Sequence, residues 1–199
     1  WSGVLRAVPG SRLQMAGMPA NGAPEELLQW FAAEGIAEDR LIFYPRSGFS
    51  EYLKLHNQVD FCLDTFPYTG GTTTLHALWM GVPTLTIGGH AYPSYQGALM
   101  LHQVGLEDYF VANNKEDFII KALFLVKNQI FLQDARFKLR NYLVDGYSAS
   151  LKAVVDSFSL AFQMTWQGWC EGEKPRSIRI DNSDINFDPC FVNYSDVIQ

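Results

Sequence analysis

Residues 60–83 read DFCLDTFPYTGGTTTLHALWMGVP. The apolar run at 59–63 has the length of a buried strand, and the segment at 72–80 carries Leu75, Leu78 and Trp79 at helical spacing. A Gly-Gly-Thr-Thr-Thr turn joins them, and Gly81 closes the helix. A helix that opens out of such a turn leaves its first backbone N–H groups unpaired and carries roughly half a positive charge there. Thr72, Thr73 and Thr74 fall in that first turn, where their hydroxyls can cap the helix or donate to a phosphate oxygen. Gly70 and Gly71 allow a close approach of the backbone to a ligand. The same turn needs a cap and a tight loop even without a ligand, so these residues alone leave both readings open. Asp64, Phe66, Pro67 and Tyr68 come after the strand at its carboxyl end, where open parallel sheets hold their ligands.

On either side of this stretch, short apolar runs alternate with amphipathic segments, the pattern of a parallel sheet covered by helices on both faces. Strands are expected at 12–16, 41–44, 59–63 and 84–87, with a short one near 109–112. Helices are expected from Pro24 to Glu34, from Ser50 to Asn57, from Ser94 to Val104, to Lys127 after Asn114, from Ile130 to Leu143, and from a Ser148 cap toward Trp169. The fold class is therefore α/β, Rossmann-like. At 199 residues with 48% hydrophobic content, the chain can bury one substantial core. Its net charge of −6, without a basic stripe, argues against nucleic acid as the main partner. It contains no unbroken apolar run of about 18 residues, so a membrane span is not expected. Its start, WSGVLRAVPG, has neither an initiator Met nor a signal pattern and reads as a fragment or a processed chain. Cys62, Cys170 and Cys190 lack metal-ligand spacing and read as reduced thiols of a cytoplasmic protein.

The 60–83 segment closely resembles the nucleotide-sugar segment of the family 41 glycosyltransferases, the O-linked N-acetylglucosamine transferases and their SPINDLY-type relatives. Similarity extends to Trp1-Ser2-Gly3-Val4-Leu5 with Val8-Pro9-Gly10-Ser11, to Arg40-Leu41-Ile42-Phe43 and to Val104-Gly105-Leu106. It also reaches Phe162-Gln163-Met164-Thr165-Trp166 and Trp169-Cys170-Glu171-Gly172-Glu173-Lys174-Pro175, which look like the family's closing helix and its exit. The resemblance implies that residues 1–175 form the carboxyl-terminal Rossmann-like lobe of a two-lobed GT-B glycosyltransferase, with its closing helices. Residues 176–199, rich in Asp, Asn and Ser, are expected to be an irregular tail.

The resemblance also implies an activity: transfer of a sugar from a nucleoside diphosphate to a Ser or Thr hydroxyl of an acceptor protein, with inversion and no metal cofactor. The donor would be UDP-N-acetylglucosamine, with GDP-fucose as the alternative; a scaffold that has lost donor binding is the third reading. The facing amino-terminal lobe and the tetratricopeptide array common in the family would lie upstream. No residue of this chain is assigned as the catalytic base. Gly71, Thr72, Thr73 and Thr74 would hold the donor diphosphate, and Asp64 would either support the Gly70 loop or meet the ligand. Two positions depart from the family pattern near the nucleoside. His76 stands where an acidic residue accepts a ribose hydroxyl, and Tyr52 stands where many members have histidine. His76 is otherwise a helix-surface histidine, and Tyr52 otherwise packs with Leu53 and Leu55. Arg46 either reaches the base or a phosphate or is a solvated loop charge. Tyr95 replaces an arginine by the sugar. His56 and His102 read as packing or surface residues.

Overall fold

The computed structural model of the chain describes residues 1–20 and 24–172. Its elements run in the order α1 (Ser2–Ala7), β1 (Leu13–Met18), α2 (Glu25–Ala33), β2 (Leu41–Pro45), α3 (Phe49–Leu55), β3 (Cys62–Leu63), α4 (Thr72–Trp79) and β4 (Thr84–Ile87). Then come α5 (Tyr92–Gln103), α6 (Glu107–Phe110), β5 (Val111–Ala112), α7 (Lys115–Lys127) and α8 (Gln129–Cys170). All strand pairs are parallel, β1 with β2 and β3–β4–β5 in that order.

The four residues of β4 show how the layers are assigned. Side chains on a strand alternate between faces, and Leu85 and Ile87 join Val4 of α1 and Phe118 and Ala122 of α7 in one apolar cluster. Thr84 and Thr86 therefore face the opposite side; Thr84 lines a cavity with Ala77 of α4, and the Thr86 hydroxyl donates to Asp64. In β1 and β2 the same alternation puts Met15 and Leu41 with Phe31 of α2 and Leu5 of α1, leaving Gln14 and Tyr44 on the cavity side. Helices thus cover both faces of the strands, and the more polar face belongs to α3 and α4.

Turn chemistry closes the units as the residue types require. Gly81, at φ +72°, ends α4 with Val82 N–H bonding Ala77 O at 2.8 Å. Asn114 caps α7, its side-chain oxygen accepting Asp117 N–H at 2.8 Å. Gly17, at φ +85°, sits at the register shift of β1, which carries that strand past the expected Ala16 to Met18.

Four further expectations change. The single sheet is interrupted between β1 and β3, because β3 is only two residues long; Cys62 and Asp64 N–H groups bond Pro83 and Leu85 carbonyls toward β4. The Ser2–Ala7 helix is an addition, since Gly3 and Pro9 disguise it in the sequence. The expected strand at 109–112 begins as helix α6, with only Val111–Ala112 extended. The break between helices at 143 and Ser148 is not observed: the backbone is helical throughout Gln129–Cys170, a single glycine at 146 lowering helix stability without ending it. The side chain of Ser148, residues 173–175 of the exit motif, Cys190 and the tail at 176–199 lie outside the described residues.

The chain divides into two compact units, Trp1–Leu143 and Val144–Gln199. The first holds the strands and a core that includes Leu78, Phe110, Leu125 and Leu139, each fully buried. In the second, the described residues are helical as far as Cys170 and expose Leu151, Phe158, Phe162, Trp166 and Trp169. No described helix is long and apolar enough to cross a membrane.

Candidate functional site

Asp64 organises the turn between β3 and α4. One carboxylate oxygen accepts the N–H groups of Thr65 and Gly70, each at 2.8 Å, and the other accepts the Thr86 hydroxyl at 2.8 Å. Its neighbours leave no spare room: a Cβ on Gly97 would lie 2.6 Å from the second oxygen. This carboxylate is committed to the loop, the structural role of the two considered for it. The turn is also tied to the start of α5. Thr69 is fully buried, its N–H and hydroxyl both reach Pro93 O, and its hydroxyl oxygen accepts Gly97 N–H at 3.2 Å.

From this base the chain enters α4. The first helical bond is Leu75 N–H to Gly71 O at 3.1 Å, so the N–H groups of Thr72, Thr73 and Thr74 have no acceptor within the helix. Thr72 and Thr73 are exposed. Thr74 is buried, and its hydroxyl donates to Gly70 O at 3.0 Å, closing the turn from within. A Cβ at Gly70 would lie 2.6 Å from the Thr74 hydroxyl and 2.8 Å from that of Thr73, so these side chains would have to shift to admit one. At Gly71 a Cβ would meet the Gln96 side-chain oxygen at 2.7 Å. Three N–H groups without helical acceptors and two exposed hydroxyls thus gather as an array of donors at one helix end.

Behind this array, between the strands and α3–α4, is a cavity of about 210 Å³ lined by Gln14, Tyr44, Tyr52, His56, Cys62, Asp64, Thr73, Thr74 and Thr84 among others. Burial raises the Tyr52 hydroxyl above its ordinary pKa and lowers that of His56. Burial also pushes the Cys62 thiol up to about 11. Cys62 is therefore a neutral thiol over the physiological range.

The remaining candidates separate. Tyr52 and His76 come together, rings 5.7 Å apart and steeply inclined, and Tyr52 also meets His56 at 5.0 Å. Packing thus accounts for much of Tyr52 and all of His56, which is buried. Arg46 is exposed in the loop after β2, its backbone N–H bonding Met18 O. Tyr95 is exposed on the first turn of α5, and neither it nor Arg46 lines the cavity. His102 pairs with Glu107 at 2.8 Å. Sequence reasoning passed over Gln96, Thr69 and Phe49. Only Thr69, next to the glycine pair, carries a sequence signal, that of a small hydroxyl residue in a turn.

The family model for glycosyl transferase family 41 matches residues 1–153. The chain belongs to glycosyltransferase family 41. Among curated proteins it is similar to SPINDLY of Oryza sativa subsp. japonica, 29% identical over 196 residues covering 97% of this chain and 21% of that one. It is also similar to SEC of Arabidopsis thaliana, 26% identical over 187 residues covering 94% and 19%. The chain spans about a fifth of the length of these relatives. Among solved structures, a mutant O-GlcNAc transferase of Thermobaculum terrenum matches with TM-score 0.75 and 28% identity over 87% of this chain and 34% of that one. The fold is accordingly the Rossmann-like carboxyl-terminal half of a GT-B glycosyltransferase.

Proposed function

We propose that this family 41 chain is the donor-binding lobe of a protein O-glycosyltransferase that transfers N-acetylglucosamine from UDP-N-acetylglucosamine to Ser or Thr hydroxyls of proteins. The observation that carries the reading is the array at the start of α4, where Thr72 and Thr73 stand exposed beside N–H groups without helical acceptors. The names of the SPINDLY and SEC relatives describe UDP-N-acetylglucosamine–peptide N-acetylglucosaminyltransferases, and that of the Thermobaculum protein an O-GlcNAc transferase, which supports the donor.

Chemically, the lobe acts on the leaving group. As the bond to the sugar breaks, negative charge grows on the departing diphosphate. Donors already fixed in place stabilise that charge more in the transition state than in the ground state. Because these donors belong to the backbone and to threonine hydroxyls, the proposal includes transfer without a metal cofactor. It also includes a facing amino-terminal lobe that supplies the rest of the catalytic site, and a cytoplasmic setting. His76 and Tyr52 would flank the nucleoside, and Tyr95 the sugar. A GDP-fucose donor is the second reading, because the 60–83 segment resembles the family's SPINDLY-type members as much as its N-acetylglucosamine transferases.

Calorimetric titration of UDP and of GDP into the chain and into a Thr72→Ala/Thr73→Ala variant tests the proposal. UDP binding in the millimolar range, about −4 kcal/mol, lost in the variant and stronger than GDP binding, is the expected result. Preference for GDP moves the assignment to fucose. Binding of neither, also when the facing lobe is supplied, contradicts a donor site and leaves a scaffold.

A further inference from the structure

The unit that carries the array is short in both legs: β3 has two residues and α4 has eight. Elements of that length do not fix their own position, so packing at their far ends has to do it. One residue opens a gap there. Pro83 is fully buried and has no N–H. It lies four residues after Trp79, so the last carbonyl of α4 finds no helical donor, and the neighbouring Val82 N–H already bonds Ala77 O. Pro83 also falls where the parallel ladder of β3 with β4, whose register pairs Cys62 with Thr84, would otherwise send an N–H to Asp60 O. Both carbonyls are left for donors from outside the unit.

Two arginines of α8 supply them. Arg140 Nε donates to Trp79 O at 3.0 Å, and its guanidinium lies 4.9 Å from the centre of the Trp79 ring. Arg136 Nη1 donates to Asp60 O at 2.6 Å and also to Val59 O. Four residues apart, the two share a face of α8 and lie about 6 Å from each other along its axis. Leu132, Ala135, Leu139 and Leu143 of the same helix are buried, so both cations are offered from a fixed backbone. The end of α4 that they meet is the negative end of its dipole. Gly81 shows how close the packing is, since a Cβ there would lie 3.0 Å from Arg136 O.

We infer that Arg136 and Arg140 are positioning residues for the donor diphosphate. They pin the entry of β3 and the exit of α4 to α8, and the array lies at the other end of α4, about 10 Å away along its axis. Pinning the far end holds the array in place before charge develops on the leaving group. Both arginines act through the backbone of the unit, and neither lines the cavity behind the array. The inference rests on the proposed donor site and adds to it the pair of residues that aims it.

The test titrates UDP and inorganic pyrophosphate into the chain, into Arg136→Met and Arg140→Met variants and their double variant, and into Arg136→Lys/Arg140→Lys, with thermal unfolding of each. Phe118→Leu, packed on the other face of β4, is the control for stability lost elsewhere. Titrations run well below every unfolding midpoint, where all the variants are folded. The double Met variant is expected to bind both ligands about fivefold more weakly, equivalent to about 1 kcal/mol. It should also move the 1H–15N signals of Thr72 and Thr73 in the ligand-free chain. Phe118→Leu should do neither, and the Lys pair, which keeps the charges and donors, should recover most of the affinity. Unchanged affinity and unmoved Thr72 and Thr73 signals at a lowered midpoint, or an equal loss in Phe118→Leu, overturn the inference while leaving the donor site standing. If the double variant does not fold, Arg140→Met, at an exposed position, carries the same comparison. Absence of UDP and pyrophosphate binding in the parent overturns the donor site and the positioning role with it.

Discussion

Asp64 commits both carboxylate oxygens to groups of its own protein, and this defines the turn more than any threonine does. Replacing it with asparagine exchanges one acceptor for a donor, facing either the Gly70 N–H or the Thr86 hydroxyl. Asp64→Asn should cost about 1–3 kcal/mol of stability, measured by urea unfolding, and weaken nucleotide binding as well. Gly97→Ala should act the same way from the other side, because its Cβ would lie 2.6 Å from the carboxylate. Cys62 gives a prediction with a sign. Its thiol is raised from 9.0 to about 11 by burial, so the folded state favours the neutral form. That contribution is complete below pH 9 and is lost as pH rises from about 9 to about 11, where the unfolded thiol ionises first. The chain should lose roughly 2–3 kcal/mol more stability across that interval than a Cys62→Ala variant does. These commitments are only partly legible in the sequence. An aspartate after a strand can serve a loop or a ligand; burial and partners, which the sequence does not encode locally, separate the roles.

At the level of elements, local signals worked where the residue pattern and the packing agree. The alternation Thr84-Leu85-Thr86-Ile87 reads as a strand and is one, with its leucine and isoleucine on the α1–α7 face. The Gly81 stop of α4 is equally readable, and it carries a cost if changed. At φ +72°, with a Cβ that would lie 3.0 Å from Arg136 O, Gly81→Ala should lose about 1–2 kcal/mol in thermal or urea unfolding. Packing overrode local signals elsewhere. Gly3 and Pro9 suggest a loop, yet Val4 and Leu5 are buried against both apolar clusters and hold Ser2–Ala7 helical. The expected strand at 59–63 contracts to Cys62–Leu63, because Val59 and Asp60 offer their carbonyls to Arg136 instead of to a strand.

Over the whole molecule, the α/β class was legible because periodicity changes from two to 3.6 along the chain without interruption. The seam between β1 and β3 was not, since strand order depends on pairings far apart in sequence. The first unit, Trp1–Leu143, has its own buried core, including Leu132 and Leu139 of α8. A chain ending at Leu143 should therefore unfold in one cooperative transition and still bind UDP; a broad transition by circular dichroism would show that the core depends on residues beyond 143. Within that unit the donor reading stands or falls on the start of α4. The decisive experiment records the amide 1H–15N shifts of the labelled chain as UDP is added. Gly71, Thr72 and Thr73 should shift most and saturate together. Shifts centred on another surface, with these three amides unmoved, would refute a diphosphate site at the start of α4.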